Sequence, residues 1–170
     1  KVLFIFLIFC FSLTIISCSD DKEEYEEKEY PENFVSTTDD TTSSAVTVSG
    51  KVQKGPYIQG NEITVRELDS SMTPTGKTFT GTIDDNIGSF SVKGTLAYKI
   101  VELSADGYYF NEVSGSLSYV KLTLQALSDL TDSSSVNVNL MTHLEKKRVE
   151  YLMYYLRLTF AAAKTQAQTE

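Results

Sequence analysis

The chain has 170 residues and a formal net charge of -8. Asp20, Asp21, Glu23, Glu24, Glu26, Glu27 and Glu29, set against Lys22 and Lys28, carry five of those negative charges, so the rest is nearly balanced. With no basic stripe to neutralise phosphates, nucleic acid is excluded as a partner. The length beyond the first acidic run suffices for one compact domain with appendages.

The first element is an apolar run. Lys1 precedes the unbroken stretch from Val2 to Phe9, and apolar character continues to Ile16 with Ser12 and Thr14 interrupting it. A helix crossing a bilayer core needs roughly 20 apolar residues, so residues 1–17 have the length of a signal peptide and are expected to be removed. An uncleaved anchor is the alternative, since the lack of an initiating Met points to an incomplete start. Ile15-Ile16-Ser17-Cys18 resembles the lipobox of bacterial lipoproteins, with an aliphatic residue three positions before Cys and a small residue just before it. The resemblance implies lipidation of Cys18, whose thiol is a soft nucleophile able to carry a thioether-linked lipid. Cys10 does not fit, because bulky Phe9 precedes it. Several acyl chains on one cysteine anchor a protein stably to a membrane. With Cys18 acylated and Cys10 removed, no thiol remains for a disulfide, a metal or catalysis.

Residues 18–44 are acidic and then Ser/Thr-rich, with almost nothing aliphatic to bury, and are expected to form a disordered tether. Ser19-Asp20-Asp21-Lys22-Glu23-Glu24 resembles the acidic export signal that follows the lipidated Cys in Bacteroidetes surface lipoproteins. That implies an outer-membrane lipoprotein displayed on the cell surface. A solvated charge run on a periplasm-facing anchor is the alternative. Asp40-Thr41-Thr42 resembles the O-glycosylation site of the same bacteria, which implies a sugar on Thr41.

From Ala45 the period becomes two. Val46, Val48, Gly50 and Val52 share one face, and Thr47, Ser49, Lys51 and Gln53 the other, as in a half-buried strand. Similar runs hold Ile63 and Val65, Phe79 and Ile83, Phe90 and Val92, and Val120, Leu122 and Leu124. Turn residues separate them at Gly55-Pro56, Gly60-Asn61, Thr73-Pro74-Thr75-Gly76, Asp84 to Gly88, Asp106-Gly107 and Gly115. Short strands at this spacing predict a β-sandwich. Val48-Ser49-Gly50-Lys51-Val52, Pro56-Tyr57-Ile58-Gln59-Gly60, Ile63-Thr64-Val65, Asp85-Asn86-Ile87-Gly88-Ser89-Phe90 and Ala105-Asp106-Gly107-Tyr108 together resemble the carboxypeptidase-regulatory-like, or transthyretin-like, domain. The resemblance spans residues 45–127 or nearly so and implies a mainly β fold, a seven-stranded Greek-key sandwich. Such domains usually bind, space or display, without an active site. The whole arrangement further resembles lipoproteins of gut Bacteroidetes in which this sandwich precedes a helical region.

Residues 128–170 form that helical region. Val136, Val138 and Leu140 alternate and read equally as a last strand or as the entry to a helix. From Leu144 onward, Val149, Leu152, Met153, Leu156 and Phe160 recur at the spacing of one amphipathic helix. Thr159 is placed to cap a second helix through Ala161-Ala162-Ala163. No stop signal follows, so the helical region is expected to be truncated, with a further domain beyond it.

Four constellations bear on chemistry. His143 is the single histidine and stands at the head of the amphipathic helix; no nucleophile elbow surrounds it, and a helix-start histidine near the surface accounts for it. Asp84, Asp85 and Asn86 before Gly88 resemble a fragment of a calcium loop but lack its closing acidic residue, and a hairpin turn explains them, with Asn and Gly supplying positive φ. Tyr98 to Glu102 followed by Gly107-Tyr108 resembles the glutamate strand of collagen-adhesin B-type repeats. That implies an isopeptide bond promoted by a buried Glu102, with Lys54 in the inward register as the amine. Asn137 and Asn139 sit opposite their aliphatic neighbours, so the third partner is lacking, and the other reading is an exposed Glu102 beside a Val101/Leu103 core face. The cluster Tyr108-Tyr109-Phe110, with Tyr57 and Tyr119, is a candidate for an aromatic ligand surface that stacks sugar rings, against the alternative that these are core and corner residues, Tyr108 holding a loop through its hydroxyl.

The sequence therefore reads as a surface-exposed outer-membrane lipoprotein carrying a non-catalytic β-sandwich that binds or spaces, with no cofactor and no metal. Its partners are the membrane, through the lipid anchor, and a glycan or protein ligand. The rival readings are an accessory domain of a glycan-capture protein or surface enzyme, and an adhesin or assembly subunit.

Overall fold

The computed structural model describes residues 43–170. The signal peptide, the Cys18 lipidation site, Thr41 and the tether up to residue 42 lie outside the described residues. In chain order the elements are β1 (Ser44–Gln53), β2 (Glu62–Leu68), β3 (Pro74–Thr82), β4 (Ser89–Leu96), β5 (Ile100–Gly107), β6 (Phe110–Asn111), β7 (Ser116–Leu117), β8 (Leu122–Asp129), β9 (Val138–Asn139), α1 (Leu140–Leu156) and α2 (Phe160–Thr169). The fold is mainly β, in two layers, with the helices at the C-terminal end of the chain.

Alternation sets the layers. β1 turns Val46, Val48 and Val52 inward, pairs antiparallel with β4 and, at its end, parallel with β9. The second sheet is antiparallel in the order β3-β2-β5-β8, and β6 and β7 form a separate small hairpin. Val48, Val52 and Phe90 from the first sheet and Ile63, Val65, Leu103 and Leu124 from the second share one buried core. Val101 and Leu103 point inward, so the strand of Glu102 carries its core on the face opposite that carboxylate.

Gly50 belongs to the inward face because the last strand must cross it. A Cβ there would stand 1.9 Å from the Val136 carbonyl oxygen. Its absence lets Val136 N donate to Ser49 O at 2.8 Å and lets Ser49 N donate to Ser134 O at 3.1 Å. The alternation of Val136, Val138 and Leu140 thereby resolves into three roles: Val136 and Val138 are buried, Val138–Asn139 is a strand, and Leu140 opens a helix.

That helix starts ahead of Leu144 because Asn139 caps it. Its Oδ1 accepts from Met141 N at 2.9 Å and Thr142 N at 3.0 Å, while Thr142 Oγ1 accepts from Asn139 N at 2.9 Å. α1 stops at Arg157, which takes a left-handed φ of 56°, so Phe160 belongs to α2 rather than to the first helix. Thr159 caps α2 as expected, accepting from Ala162 N at 3.3 Å. The helices lie on the outer face of the second sheet, where Leu68 and Leu127 meet Val149, Leu152, Phe160 and Ala163 in a second core. Lys164 Nζ donates to Leu127 O at 2.7 Å and pairs with Glu145 at 2.7 Å, and Lys146 reaches Glu102 at 3.6 Å. All described residues belong to one compact unit.

One inward position is charged. Glu67 continues the face of Ile63 and Val65 and is 0 % exposed. Oε1 accepts from Thr75 Oγ1 at 2.6 Å with Lys77 Nζ at 3.9 Å, and Oε2 accepts from Ala97 N and, at 3.0 Å, Tyr98 N. Burial raises its pKa, but the bonds from Thr75, Tyr98 and Ala97 and the charge of Lys77 outweigh that and hold the carboxyl below the usual glutamate range. A depressed folded-state pKa stabilises the fold fully above the unfolded-state value, and that contribution is lost as pH falls through the folded-state value. Glu67→Gln should therefore cost roughly 2 kcal/mol at neutral pH. In urea titrations the gap between variant and parent should shrink from pH 7 to pH 3. Gly50→Ala should lower stability by about 3 kcal/mol, read as a lower urea midpoint, because backbone rather than a side-chain end blocks the new methyl.

Candidate functional site

β1 is ten residues long. At about 3.3 Å per residue it puts roughly 30 Å between the end where it starts and the end where it stops. At that far end three connections meet: residues 54–61, 83–88 and 108–121.

Main-chain and side-chain bonds lock them together. Ile58 N donates to Tyr108 O at 3.2 Å, Phe110 N donates to Pro56 O at 2.8 Å, and Asn61 Nδ2 donates to Tyr108 O at 2.6 Å. Tyr57 sits beneath them, 0 % exposed, its hydroxyl donating to Leu122 O at 2.7 Å. Burial first, then the charges of Asp106 and Tyr109, push that hydroxyl far above the ordinary tyrosine pKa, so it stays protonated as a donor. In the 83–88 turn, Asp85 Oδ1 accepts from Ile87 N at 3.0 Å and Ser89 N at 2.9 Å. The backbone bond from Ser89 leads in holding its carboxyl below the usual aspartate range. Gly88 supplies the positive φ, 84°, whereas Asn86 keeps a negative one and instead accepts from Gln59 N at 3.0 Å. Two of the side chains that resemble a calcium loop thus accept from main-chain N–H groups, Asp85 within its own turn and Asn86 from Gln59, and the described residues contain no cluster of His, Cys, Asp and Glu fit to hold a metal.

Outside this locked frame stands a set of apolar side chains in water. Val113 is 99 % exposed and Tyr119 95 % exposed, and Ile87, Tyr108, Phe110, Leu117 and Val120 are exposed as well. All seven lie on the turn of 83–88 or on 108–121, so they share one end of the molecule. Exposed apolar groups gathered in one place are a common feature of surfaces that meet another molecule. Lys54 adds a cation beside them, 4.6 Å above the Tyr109 ring, and Lys121 pairs with Asp106 at 3.3 Å.

The structure redistributes the residues singled out from sequence. Tyr108 and Tyr119 are exposed, Tyr109 is half-buried, and Tyr57 is removed from any ligand surface by its burial; it, and not Tyr108, holds the loop through its hydroxyl. Lys54 leaves the inward register because β1 ends at Gln53, and its Nζ donates to Tyr109 Oη at 3.2 Å. Glu102 lies on the helix-covered face, within 3.9 Å of Arg66 and accepting from Gln125 Nε2 at 3.3 Å. The isopeptide pair is therefore not brought together. His143 stands in the first turn of α1, half-buried, with an Nδ1 that has no hydrogen-bond partner. Phe110, singled out with the tyrosines, is exposed, whereas sequence reading missed Val113 and Leu117; the available signal was two apolar residues in a segment otherwise built from Asn, Glu, Ser and Gly.

No family model, curated protein or solved structure matches the chain. Among the described residues, no helix is long and apolar enough to cross a membrane.

Tyr57→Phe should cost about 1 kcal/mol, one hydrogen bond, because Leu122 O loses its donor. Tyr119→Ser, whose ring touches water on nearly all sides, should leave the urea midpoint unchanged. The pair of titrations separates the frame of the tip from its surface.

Proposed function

We propose that this protein is a lipid-anchored lipoprotein of the outer membrane, held at Cys18 and displayed on the cell surface, whose non-catalytic β-sandwich presents a binding tip. One observation carries the reading: seven exposed apolar side chains, Ile87 and six from the 108–121 connection, gather at the end of β1 opposite to Ser44, the end through which the chain arrives from the anchor, while the other exposed apolar side chains line α1. A module tethered at one end and apolar at the other is arranged to meet partners rather than its own membrane. The tether of residues 18–44 supplies reach, and its acidic start fits export to the surface. The resemblance to transthyretin-like domains is supported by the two facing sheets, to which residues 45–127 give six strands; the seventh, Val138–Asn139, comes from beyond that stretch. In this reading the fold is a seven-stranded Greek-key sandwich extended by two packed helices. An adhesin fits the apolar tip better than a catalytic accessory domain does, because the tip offers contact area and no reacting group.

The test uses the full chain in cells. Radiolabelled palmitate should enter the parent protein and not Cys18→Ser, and external protease should remove the described domain from intact cells. A photo-crosslinking residue at Tyr119 should capture one defined protein partner, while the same residue at Thr80, on the outer face of β3, should capture none. Absence of label, protection from protease, or equal capture from both positions would each refute the proposal.

A further inference from the structure

At the opposite end of the sheet, a cleft of about 440 Å³ opens between the β2–β3 turn and the end of α1. Its walls include Ser70, Ser71 and Met72 on one side and Glu150, Tyr154 and Arg157 on the other. The volume lies within the range of small-molecule sites, roughly 300–1,000 Å³. Three observations set it apart from an accidental groove.

The first is backbone conformation. Among the described residues only two other than glycine adopt a left-handed φ, Met72 at 67° and Arg157 at 56°, and both line this cleft. Such residues are costly compared with glycine and gather at ligand clamps and other functional sites. Met72 has a packing role, because its side chain sits against the core beneath the helices. At Arg157 the left-handed turn ends α1, its N–H donating to Leu152 O, a role glycine would serve at lower cost; the residue is exposed and packs into neither core, so neither the cap nor packing accounts for its side chain.

The second is an aromatic surface. Tyr154 is 66 % exposed, with the Arg157 guanidinium 5.7 Å from its ring centre. Tyr155 stands edge-on to it at 4.8 Å and Tyr151 contacts Tyr155 at 4.9 Å, which fixes the orientation of an otherwise solvated ring. The third is the mixture of polar groups. Arg157 has no ion-pair partner among the described residues, while Glu150 is paired with Lys146 and, at 3.1 Å, Lys147. Burial pushes the Glu150 carboxyl up, but the two lysines outweigh it and keep it ionised as an acceptor. The Ser70 and Ser71 hydroxyls can donate or accept.

We propose that this cleft binds a pyranose ring of an oligosaccharide. A sugar offers an apolar C–H face to Tyr154 and, at its rim, hydroxyls that donate to Glu150 and accept from Arg157 and the serines. Other classes fit less well. A phosphate-bearing ligand would face the Glu150 carboxylate, and a purely apolar one would bury Arg157, Glu150 and two hydroxyls without partners. The site is independent of the apolar tip, which lies at the other end of the sheet.

The full chain, kept in a detergent without a sugar head group, is titrated calorimetrically with cellotetraose, maltotetraose, chitotetraose and tetragalacturonate, and with trialanine as a peptide control. At least one saccharide should bind with a millimolar or tighter Kd, and trialanine should not. Tyr154→Ala should weaken that binding at least tenfold, while Tyr119→Ala, at the tip, should leave it within twofold, with circular dichroism unchanged in both. Arg157→Gly should raise Tm by about 3 °C, since glycine accepts the left-handed backbone, and weaken binding at least fivefold. The proposal is overturned if none of the four saccharides binds, if trialanine binds as well as they do, or if Tyr154→Ala or Arg157→Gly keeps parental affinity.

Discussion

The arrangement depends on a carboxylate placed inside an apolar core. Glu67 occupies the last inward position of β2 and accepts from the main chain of Ala97 and Tyr98, where the chain passes from β4 in one sheet to β5 in the other. A buried charge costs several kcal/mol unless its oxygens are satisfied, and here Thr75, Ala97, Tyr98 and Lys77 all supply that satisfaction. Because the donors come from β3 and from the inter-sheet crossover, the carboxylate can be accommodated only when both sheets are in place. It is a specificity device as much as a stabilising one, since few alternative pairings of these strands would present two free N–H groups to it.

The end of β2 inherits its geometry from Glu67. The pairing of β2 with β3 shifts between Arg66 and Leu68, and Leu68 turns outward into the second core. That single outward leucine, with Leu127 from β8, is where α1 and α2 dock. The helices then cover Glu102, which holds Arg66 and the nearly buried Lys146. Lys146 is satisfied from both directions, by Glu102 below and Glu150 beside it on the helix, so a lysine on the sheet-facing side of α1 is tolerated. The charge network between helix and sheet is therefore a consequence of covering a strand face that would otherwise be solvent-exposed and polar.

The sequence made the alternating strands, the turn at Gly88 and the Thr159 cap legible, because each of these is a local event. The places it misled are those where distant chain decides. Lys54 reads as inward by parity with Val46 to Val52, but strand pairing ends one residue earlier and parity ends with it. Tyr57 reads as an aromatic in a Pro-containing loop, yet the connection carrying Tyr108 and Tyr109 folds over it and buries it. Asn139 reads as the polar partner in an alternating strand and is also the cap that starts α1, so strand and helix meet at one residue with no loop between them. Glu67 gives no local sign of burial at all, since its donors lie eight, 30 and 31 residues away.

The two ends of the sandwich carry different surfaces for a topological reason. Connections on the far side of β1 join strands within reach of one another, and the longest, residues 108–121, has length to spare beyond what the join needs; that excess forms the β6–β7 hairpin and carries Phe110, Val113 and Leu117 into water. At the near end the β2–β3 turn is short, so any concavity there must be made by something laid against it, and α1 supplies it by running past the sheet until Arg157 stops it. The apolar tip is thus made from surplus loop. The cleft is a concavity made between a turn and a helix. Sheet faces alone would offer neither, so both features rest on what is added to the strands of the two larger sheets, the β6–β7 hairpin and the two helices.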